Sequence, residues 1–372
     1  MQKTILVDVI SPDIEKEESI QRLSELESLV KTYGGIVVVK VIQKRGMPDY
    51  RTYIGSGKIE EILKENKNND KGKKANLLII NNLLKPSQIF NLGEICRKDN
   101  IEVWDRIDLI LKIFDKHAKS VEAKLQIELA AIRHMGPRIY GLGLELTRQA
   151  GGIGTRGIGE TNIQIMKRHL KRREQKIKEK LGHYDLVQET HRKQRRKKDL
   201  KTISLVGYTN AGKSTLLNAL TKKGVYVADK LFATLETTVG QLFLPKSQKI
   251  TLLSDTIGFI QDLPPDLIDA FKSTLSEIID ADLLLHVIDV SDPLFESKIL
   301  IVEDILNELG VDKKSKIYVF NKIDLNPDID KEGLIEHYNC FNPVFVSAEN
   351  KNGLKELTSK IEDYLKNPQI SS

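Results

Sequence analysis

Short apolar runs alternate with stretches of helical period through the first hundred residues. Residues 4–9, 36–41, 75–80 and 101–104 read as strands, and 15–31, 58–67 and 86–98 as the helices between them. Such alternation builds a small parallel α/β sheet. From Ile107 to His134 the period changes: Leu109, Ile110, Ile113, Phe114, Val121, Leu125, Leu129 and Ile132 recur at spacings of three and four, predicting one long amphipathic helix. A second helix is predicted over 161–196. Between the two, residues 136–160 carry eight glycines in 25 positions, too many for regular structure, so an antiparallel hairpin with a mobile tip is expected. From Lys201 onward strand and helix alternate again, ending in a helix over 353–365.

Three regions follow: an α/β subdomain over 1–104, a long antiparallel helical hairpin over 105–199 and a second α/β domain over 200–372. A length of 372 residues with 40% hydrophobic positions supports several cores and excludes a disordered chain. No apolar run reaches the roughly 18 residues of a membrane span, and the N-terminus lacks a leader pattern, so stable membrane insertion is not expected. The two cysteines, Cys96 and Cys340, make neither a metal spacing nor a disulfide framework, which points to the cytoplasm.

Charge adds a partner class. Between Lys167 and Lys201 stand 15 basic and five acidic residues, so this segment carries +10 while the whole chain carries +6. Cations at that density suit a polyanion, although a solvated helix face has the same composition. Arg138, Arg148 and Arg156 stand among the glycines of 136–160, which favours an anionic partner there too.

The candidate chemistry lies further on. Gly207, Tyr208, Thr209, Asn210, Ala211, Gly212, Lys213 and Ser214 spell a phosphate-binding loop between the apolar run 202–206 and a helix-like stretch opening at Thr215. Backbone N–H groups of such a loop face phosphates, a lysine adds charge at the β and γ groups, and the serine hydroxyl ligates Mg²⁺. Downstream, Asp255-Thr-Ile-Gly258 ends a strand, placing a carboxylate to hold Mg²⁺ through water and the Gly258 N–H near the γ-phosphate. Asn321-Lys322-Ile-Asp324 follows another strand, and the Asp324 carboxylate accepts both the ring N–H and the amine of guanine, a pair that adenine lacks. Ser347 and Ala348 then offer backbone to the guanine oxygen. Each later motif is weak alone, but their order, each just after a strand, gives a P-loop GTPase (G) domain using GTP/GDP and Mg²⁺.

Switch I must lie between Leu220 and Leu242. Thr234, Thr237 and Thr238 are its candidate Mg²⁺ ligands, with Thr234 favoured because it follows the polar excursion after the loop helix. Phe259 stands where many GTPases place a water-positioning glutamine, so slow isolated turnover is expected. Asn210 admits two readings: a side-chain oxygen for K⁺ beside the phosphates, or a residue that shapes the loop.

The segments GYTNAGKST, ADKLFATLETT, DTIGFIQDLP, LLLHVIDVSD and NKID, with GGIGTRGIGE and YIGSGKIEEI before them, together resemble the HflX family of ribosome-associated GTPases over nearly the whole chain. The resemblance implies a GTPase that binds ribosomal RNA of the large subunit and splits or rescues stalled or stress-inactivated ribosomes; no DNA partner is expected, and the free protein is expected to be a monomer. It makes Lys213, Thr234 and Gly258 the catalytic candidates. Candidate RNA contacts are Arg148, Gly151, Gly152, Gly154, Arg156, Gly157, Gly159, Lys167, Arg168, Lys171, Arg172 and Arg173. The resemblance also admits ATP use near Gly55, Gly57 and Lys58, where the residues alone read as an anion site or a plain helix start. The switch stretch departs from the family in reading Leu-Glu-Thr-Thr-Val where Asp-Pro usually follows the leucine, and the extra C-terminal domain of longer relatives is not expected. A GTP-sensing assembly or chaperone factor with incidental turnover, and an ATP-driven RNA remodeller, are the competing functions.

Overall fold

The computed structural model describes residues 2–69, 74–149, 156–197, 200–221, 231–232, 237–261, 267 and 272–366. They form two compact units, Met1–His117 with Lys124–Leu181, and Ala118–Ala123 with Gly182–Ser372.

In the first unit β1 (Lys3–Ile10), β2 (Ile36–Lys44), β3 (Leu77–Ile80) and β4 (Glu102–Asp105) form a parallel sheet in the order β2-β1-β3-β4. The central β1 is buried along nearly its whole length, as a strand covered on both faces must be, and from Ile5 to Ile10 it is apolar except for the buried Asp8. Connecting helices are α1 (Lys16–Tyr33), α2 (Ser56–Asn68) and α3 (Pro86–Arg97). Helix α1 stops at Gly34, whose left-handed φ of 95° lets its N–H reach the Lys31 and Val30 carbonyls. The expected parallel α/β unit is therefore present.

The single helix expected over 107–134 is two helices. α4 (Arg106–His117) ends, and α5 (Val121–Gln149) begins after Ser120, whose Oγ accepts the Ala123 N–H at 3.1 Å. That is an N-cap, and it restarts the helix where the apolar period alone ran through. Leu109, Ile110, Ile113, Phe114, Leu125 and Leu129 are buried as expected, whereas Val121, at the restart, is 62% exposed.

The Gly-rich stretch is also more regular than its composition suggests. α5 continues through Gly136, Gly141 and Gly143, and α6 (Arg156–Lys197) already includes Gly157 and Gly159. Glycine weakens a helix by about 1 kcal/mol relative to alanine without forbidding it, and a helix nucleated on a good flank extends at one hydrogen bond per residue. Only residues 150–155 of the expected tip lie outside the described residues. In the first unit, Glu128 pairs with Arg173 and Arg133 with Glu174, so α5 and α6 lie side by side there.

The second unit contains a six-stranded sheet. Its strands are β5 (Thr202–Val206), β6 (Thr238–Leu244), β7 (Lys249–Asp255), β8 (Leu283–Asp289), β9 (Lys316–Asn321) and β10 (Val344–Phe345), in the order β10-β9-β8-β5-β7-β6. All neighbours are parallel except β6 with β7. Alternate residues serve two cores. Leu205, Leu285, Val287 and Val319 pack with α7 (Lys213–Thr221) and α11 (Leu354–Lys366), while Ile288, Tyr318 and Phe320 pack with α9 (Phe295–Glu308) on the other face. α8 (Lys272–Asp280) and α10 (Lys331–His337) complete the described helices. The chain moves outward in opposite directions from β5 and β8, so the crevice at their carboxyl ends is the topological switch point. Among the described residues no helix is long and apolar enough to cross a membrane.

Candidate functional site

The loop leaving β5 crosses the switch point before entering α7. At Gly207 a Cβ would lie 2.3 Å from the Val287 carbonyl oxygen of β8, and at Gly212, with φ 91°, a Cβ would lie 2.3 Å from Asn321 Nδ2. Side chains are thus excluded at both ends of the loop, which holds it against the sheet. Asn210 is exposed and left-handed at φ 64°, a conformation asparagine tolerates, so the loop-shaping role is met by geometry.

Lys213 opens α7 with its ammonium folded back into the loop, donating to the Gly207 carbonyl at 3.0 Å and to the Tyr208 carbonyl at 2.8 Å. Burial pushes its pKa down to about 8, against the opposing pull of the Asp255 charge. The Ser214 hydroxyl donates to Asp255 Oδ2 at 2.6 Å, joining the loop to the end of β7. Thr215 follows, half-buried in the first turn of α7.

The segment after β7 is tied to the same loop. Thr209 N–H donates to the Phe259 carbonyl at 2.7 Å, and Phe259 N–H donates to the Gly207 carbonyl at 3.1 Å. Phe259 is 1% exposed, so its ring belongs to the core. A Cβ on Gly258 would approach Thr209 Cα to 2.7 Å and Lys213 Nζ to 3.0 Å, so this glycine packs directly against the loop. Thr209 Oγ1 accepts the Phe232 N–H at 3.0 Å, tethering part of the switch I stretch. Thr234 lies outside the described residues. Thr237 precedes β6, and Thr238 opens that strand opposite Asp255.

On the β9 side, Asn321 joins two loops. Its Nδ2 donates to the Ala211 carbonyl at 2.9 Å and its Oδ1 accepts the Ala348 N–H at 3.0 Å. Lys322 is left-handed at φ 65° and its ammonium lies 2.7 Å from Asp289 Oδ2 at the end of β8. Asp324 is exposed, and Ser347 is buried with its Oγ accepting the Asn350 N–H at 3.1 Å. Loop, β7 end, β9 end and the 347–348 turn therefore converge at one edge of the sheet. Asp289 was not singled out from sequence for a role. Its place at the end of a strand that is apolar apart from His286, like the other motifs at strand ends, is the available signal.

The basic candidates divide. Lys167, Arg168, Lys171, Arg172 and Arg173 are exposed on α6, although Arg173 also pairs with Glu128. Arg148 lies in the last turn of α5 and Arg156, Gly157 and Gly159 in the first turn of α6, while Gly151, Gly152 and Gly154 lie outside the described residues. Arg195, counted in the same cationic run, is committed elsewhere: its guanidinium grips the Glu277 carboxylate of α8 with bonds of 3.0 and 2.9 Å. At the other expected anion site, Gly55 caps α2 in extended conformation and Lys58 pairs with Glu61 at 2.7 Å, the arrangement of an ordinary helix start.

Comparison with known proteins places these features in a family. Residues 20–115 match the GTP-binding GTPase N-terminal model, 117–195 the GTP-binding GTPase middle region, and 202–322 the 50S ribosome-binding GTPase model. A GTPase HflX of Caldanaerobacter subterraneus subsp. tengcongensis is 44% identical over 97% of this chain and 80% of its own length. The GTPase HflX of Escherichia coli is 38% identical over 94% of this chain and 80% of its own. Among solved structures, a GTP-binding protein of Sulfolobus solfataricus in complex with GDP aligns with a TM-score of 0.50 at 27% identity, covering 98% of each chain.

Proposed function

The chain belongs to the HflX family of GTPases and binds and hydrolyses GTP, and from that premise we propose that its GTP form binds the large ribosomal subunit through ribosomal RNA. In this reading it splits or rescues stalled or stress-inactivated ribosomes, and hydrolysis releases it. The observation that carries the proposal is the exposed row Lys167, Arg168, Lys171 and Arg172 on α6, in a chain whose nucleotide domain matches a model of 50S ribosome-binding GTPases. Each phosphate such a row neutralises releases counterions and strengthens binding.

Within the nucleotide site, Lys213 is assigned to the β- and γ-phosphates, and the backbone from Gly207 to Thr215 wraps them. The Ser214 hydroxyl and Asp255 carboxylate, 2.6 Å apart, supply the hard oxygen donors that suit Mg²⁺. Ser214 and Thr234 would ligate it directly and Asp255 through water; when bound, it offsets charge on the phosphates. Gly258 presents its N–H to the γ-phosphate, so that Thr234 and Gly258 sense whether GTP or GDP is held. Asp324 reads the guanine edge, Asn321 and Lys322 hold the strand end that carries it, and Ser347 and Ala348 meet the guanine oxygen. The buried Phe259 ring cannot orient water, so activation falls to the ribosome or to a K⁺ ion on Asn210.

The test is GTP turnover with and without purified large subunits, at several salt concentrations, in K⁺ and in Na⁺. Strong, salt-sensitive stimulation is expected, and a K⁺ requirement would support the Asn210 assignment. Unchanged turnover with GTP-dependent binding would instead indicate an assembly factor. Neither stimulation nor binding at any salt would remove the ribosome as partner while leaving the GTPase intact.

A further inference from the structure

Residues 45–54, which follow β2, form a turn whose frame is unusually well determined. Asp49 and Tyr53 exchange both backbone hydrogen bonds, at 2.8 and 2.9 Å. Asp49 Oδ1 accepts the N–H of Arg51 at 2.9 Å and of Thr52 at 3.1 Å. From α3, Gln88 Nε2 donates to the Asp49 carbonyl and Asn91 Nδ2 to the Arg51 carbonyl, each at 2.9 Å. Thr52 and Ile54 are buried beneath, and Tyr53 is held left-handed at φ 66°, a conformation a bulky residue adopts only when its surroundings dictate it.

The frame presents side chains that the fold does not use. Tyr50 is 87% and Met47 82% exposed, the highest values for large apolar residues among the described ones. Arg51 is exposed beside Tyr50, whereas the Lys44 ammonium is committed to the Ile14 carbonyl at 2.8 Å, and the one carboxylate of the turn, Asp49, is engaged by its own backbone and by Arg45. An aromatic face on a cationic turn that needs no ordering on binding is a stacking platform for an unpaired base, with arginine available to the neighbouring phosphate. Two exposed side chains are far too little for a stable protein interface, which takes roughly 800 Å² per partner, whereas a base needs only one ring face.

We propose that Tyr50 stacks on an unpaired base of ribosomal RNA and that Arg51 contacts the adjoining phosphate, giving the first unit an RNA contact separate from the basic helix. This rests on the ribosomal reading above. The experiment measures binding of the full chain, loaded with a non-hydrolysable GTP analogue, to purified large subunits and to their deproteinised rRNA. Tyr50→Ala should weaken both by roughly five- to a hundred-fold, while Tyr50→Phe stays within about twofold. Arg51→Ala should lower the slope of log affinity against log salt by about 0.7. Basal GTP turnover and melting temperature should match wild type in all three. Wild-type affinity of Tyr50→Ala for subunits overturns the proposal. So does a loss confined to intact subunits, since the contact would then be a ribosomal protein. Failure of the wild-type chain to bind subunits or rRNA at all overturns the ribosomal reading as well, and so separates the two failures.

Discussion

Asn321 Nδ2 lies 2.9 Å from the Ala211 carbonyl, so the strand end that carries the guanine-reading motif is bonded directly to the phosphate loop. The same side chain satisfies the Ala348 N–H at 3.0 Å, and the residue is 2% exposed. Asn321→Ala therefore orphans a buried carbonyl and a buried N–H, each worth on the order of 1–3 kcal/mol. The expected outcome is a lower urea midpoint together with a GDP dissociation constant raised at least tenfold. Asn321→Asp keeps the acceptor for Ala348 but sets a carboxylate against the Ala211 carbonyl, so it should resemble alanine rather than wild type in GDP binding.

Lys213 gives nucleotide binding a pH dependence. In the free protein, burial lowers its pKa to about 8, whereas bound phosphates favour the ammonium and raise it. Between about pH 8 and the bound-state pKa the complex holds more protons than the free protein, so binding takes up a proton and affinity falls as pH rises, by up to about tenfold per unit. Below pH 8 the affinity should be flat. Calorimetric titration with GDP in buffers of different ionisation enthalpy reads the proton uptake directly, and uptake that does not grow above pH 8 would contradict the assignment.

Much of this was legible before the structure, and for a physical reason. Gly207, Gly212 and Gly258 sit where the backbone must approach another group too closely for a Cβ, so their spacing records geometry in the sequence itself. Buried strands such as β1 and β8 are legible because both faces are covered. The break at Ser120 was missed because an apolar stripe of constant period hides a cap. Gly136 to Glu160 misled because glycine content measures helix weakness, not helix absence. Tertiary commitments were out of reach. Nothing local distinguishes Arg195, locked to Glu277, from Lys193 beside it, and an aromatic such as Tyr50 reads as core until its exposure is seen.

A buried polar cluster behind the sheet sets the acid limit of stability. Glu303 receives Tyr318 OH at 2.9 Å, lies 3.3 Å from His286 Nδ1 and pairs with Lys316. Burial pushes its carboxyl up, but the adjacent His286 ring and the Lys316 ammonium outweigh it and hold the pKa at about 2. His286 is shifted down, chiefly by burial. For both groups the unfolded chain binds protons more readily: His286 removes stability as pH falls below its unfolded value of about 6.5, and Glu303 removes more between about 4.5 and 2. With Glu303 24% exposed, its share is on the order of 1–2 kcal/mol after solvent screening. Thermal midpoints should fall progressively below pH 6.5, and Glu303→Gln should flatten the limb below pH 4.5. An unchanged acid limb in that variant would assign the loss to other carboxylates.

The cations of α6 should separate into two classes under salt. Lys171 is exposed, and in the ribosomal reading its ammonium neutralises a phosphate. Lys171→Ala should then reduce the slope of log affinity for rRNA against log salt by about 0.7–0.9 and leave the melting temperature within a degree or so. Arg195 is engaged bidentately with Glu277, at 20% and 17% side-chain exposure, and its pKa is raised first by that hydrogen bond. Removing it leaves a partly buried carboxylate without its partner, a loss of about 1–3 kcal/mol that belongs to folding and not to RNA. Arg195→Ala should therefore lower the melting temperature by several degrees while keeping the wild-type salt slope. Arg195→Lys recovers charge but not the two-pronged geometry, so it should recover only part of the stability. Equal salt slopes for Lys171→Ala and wild type, or a reduced slope for Arg195→Ala, would mean that exposure on α6 does not decide which cations meet the phosphates.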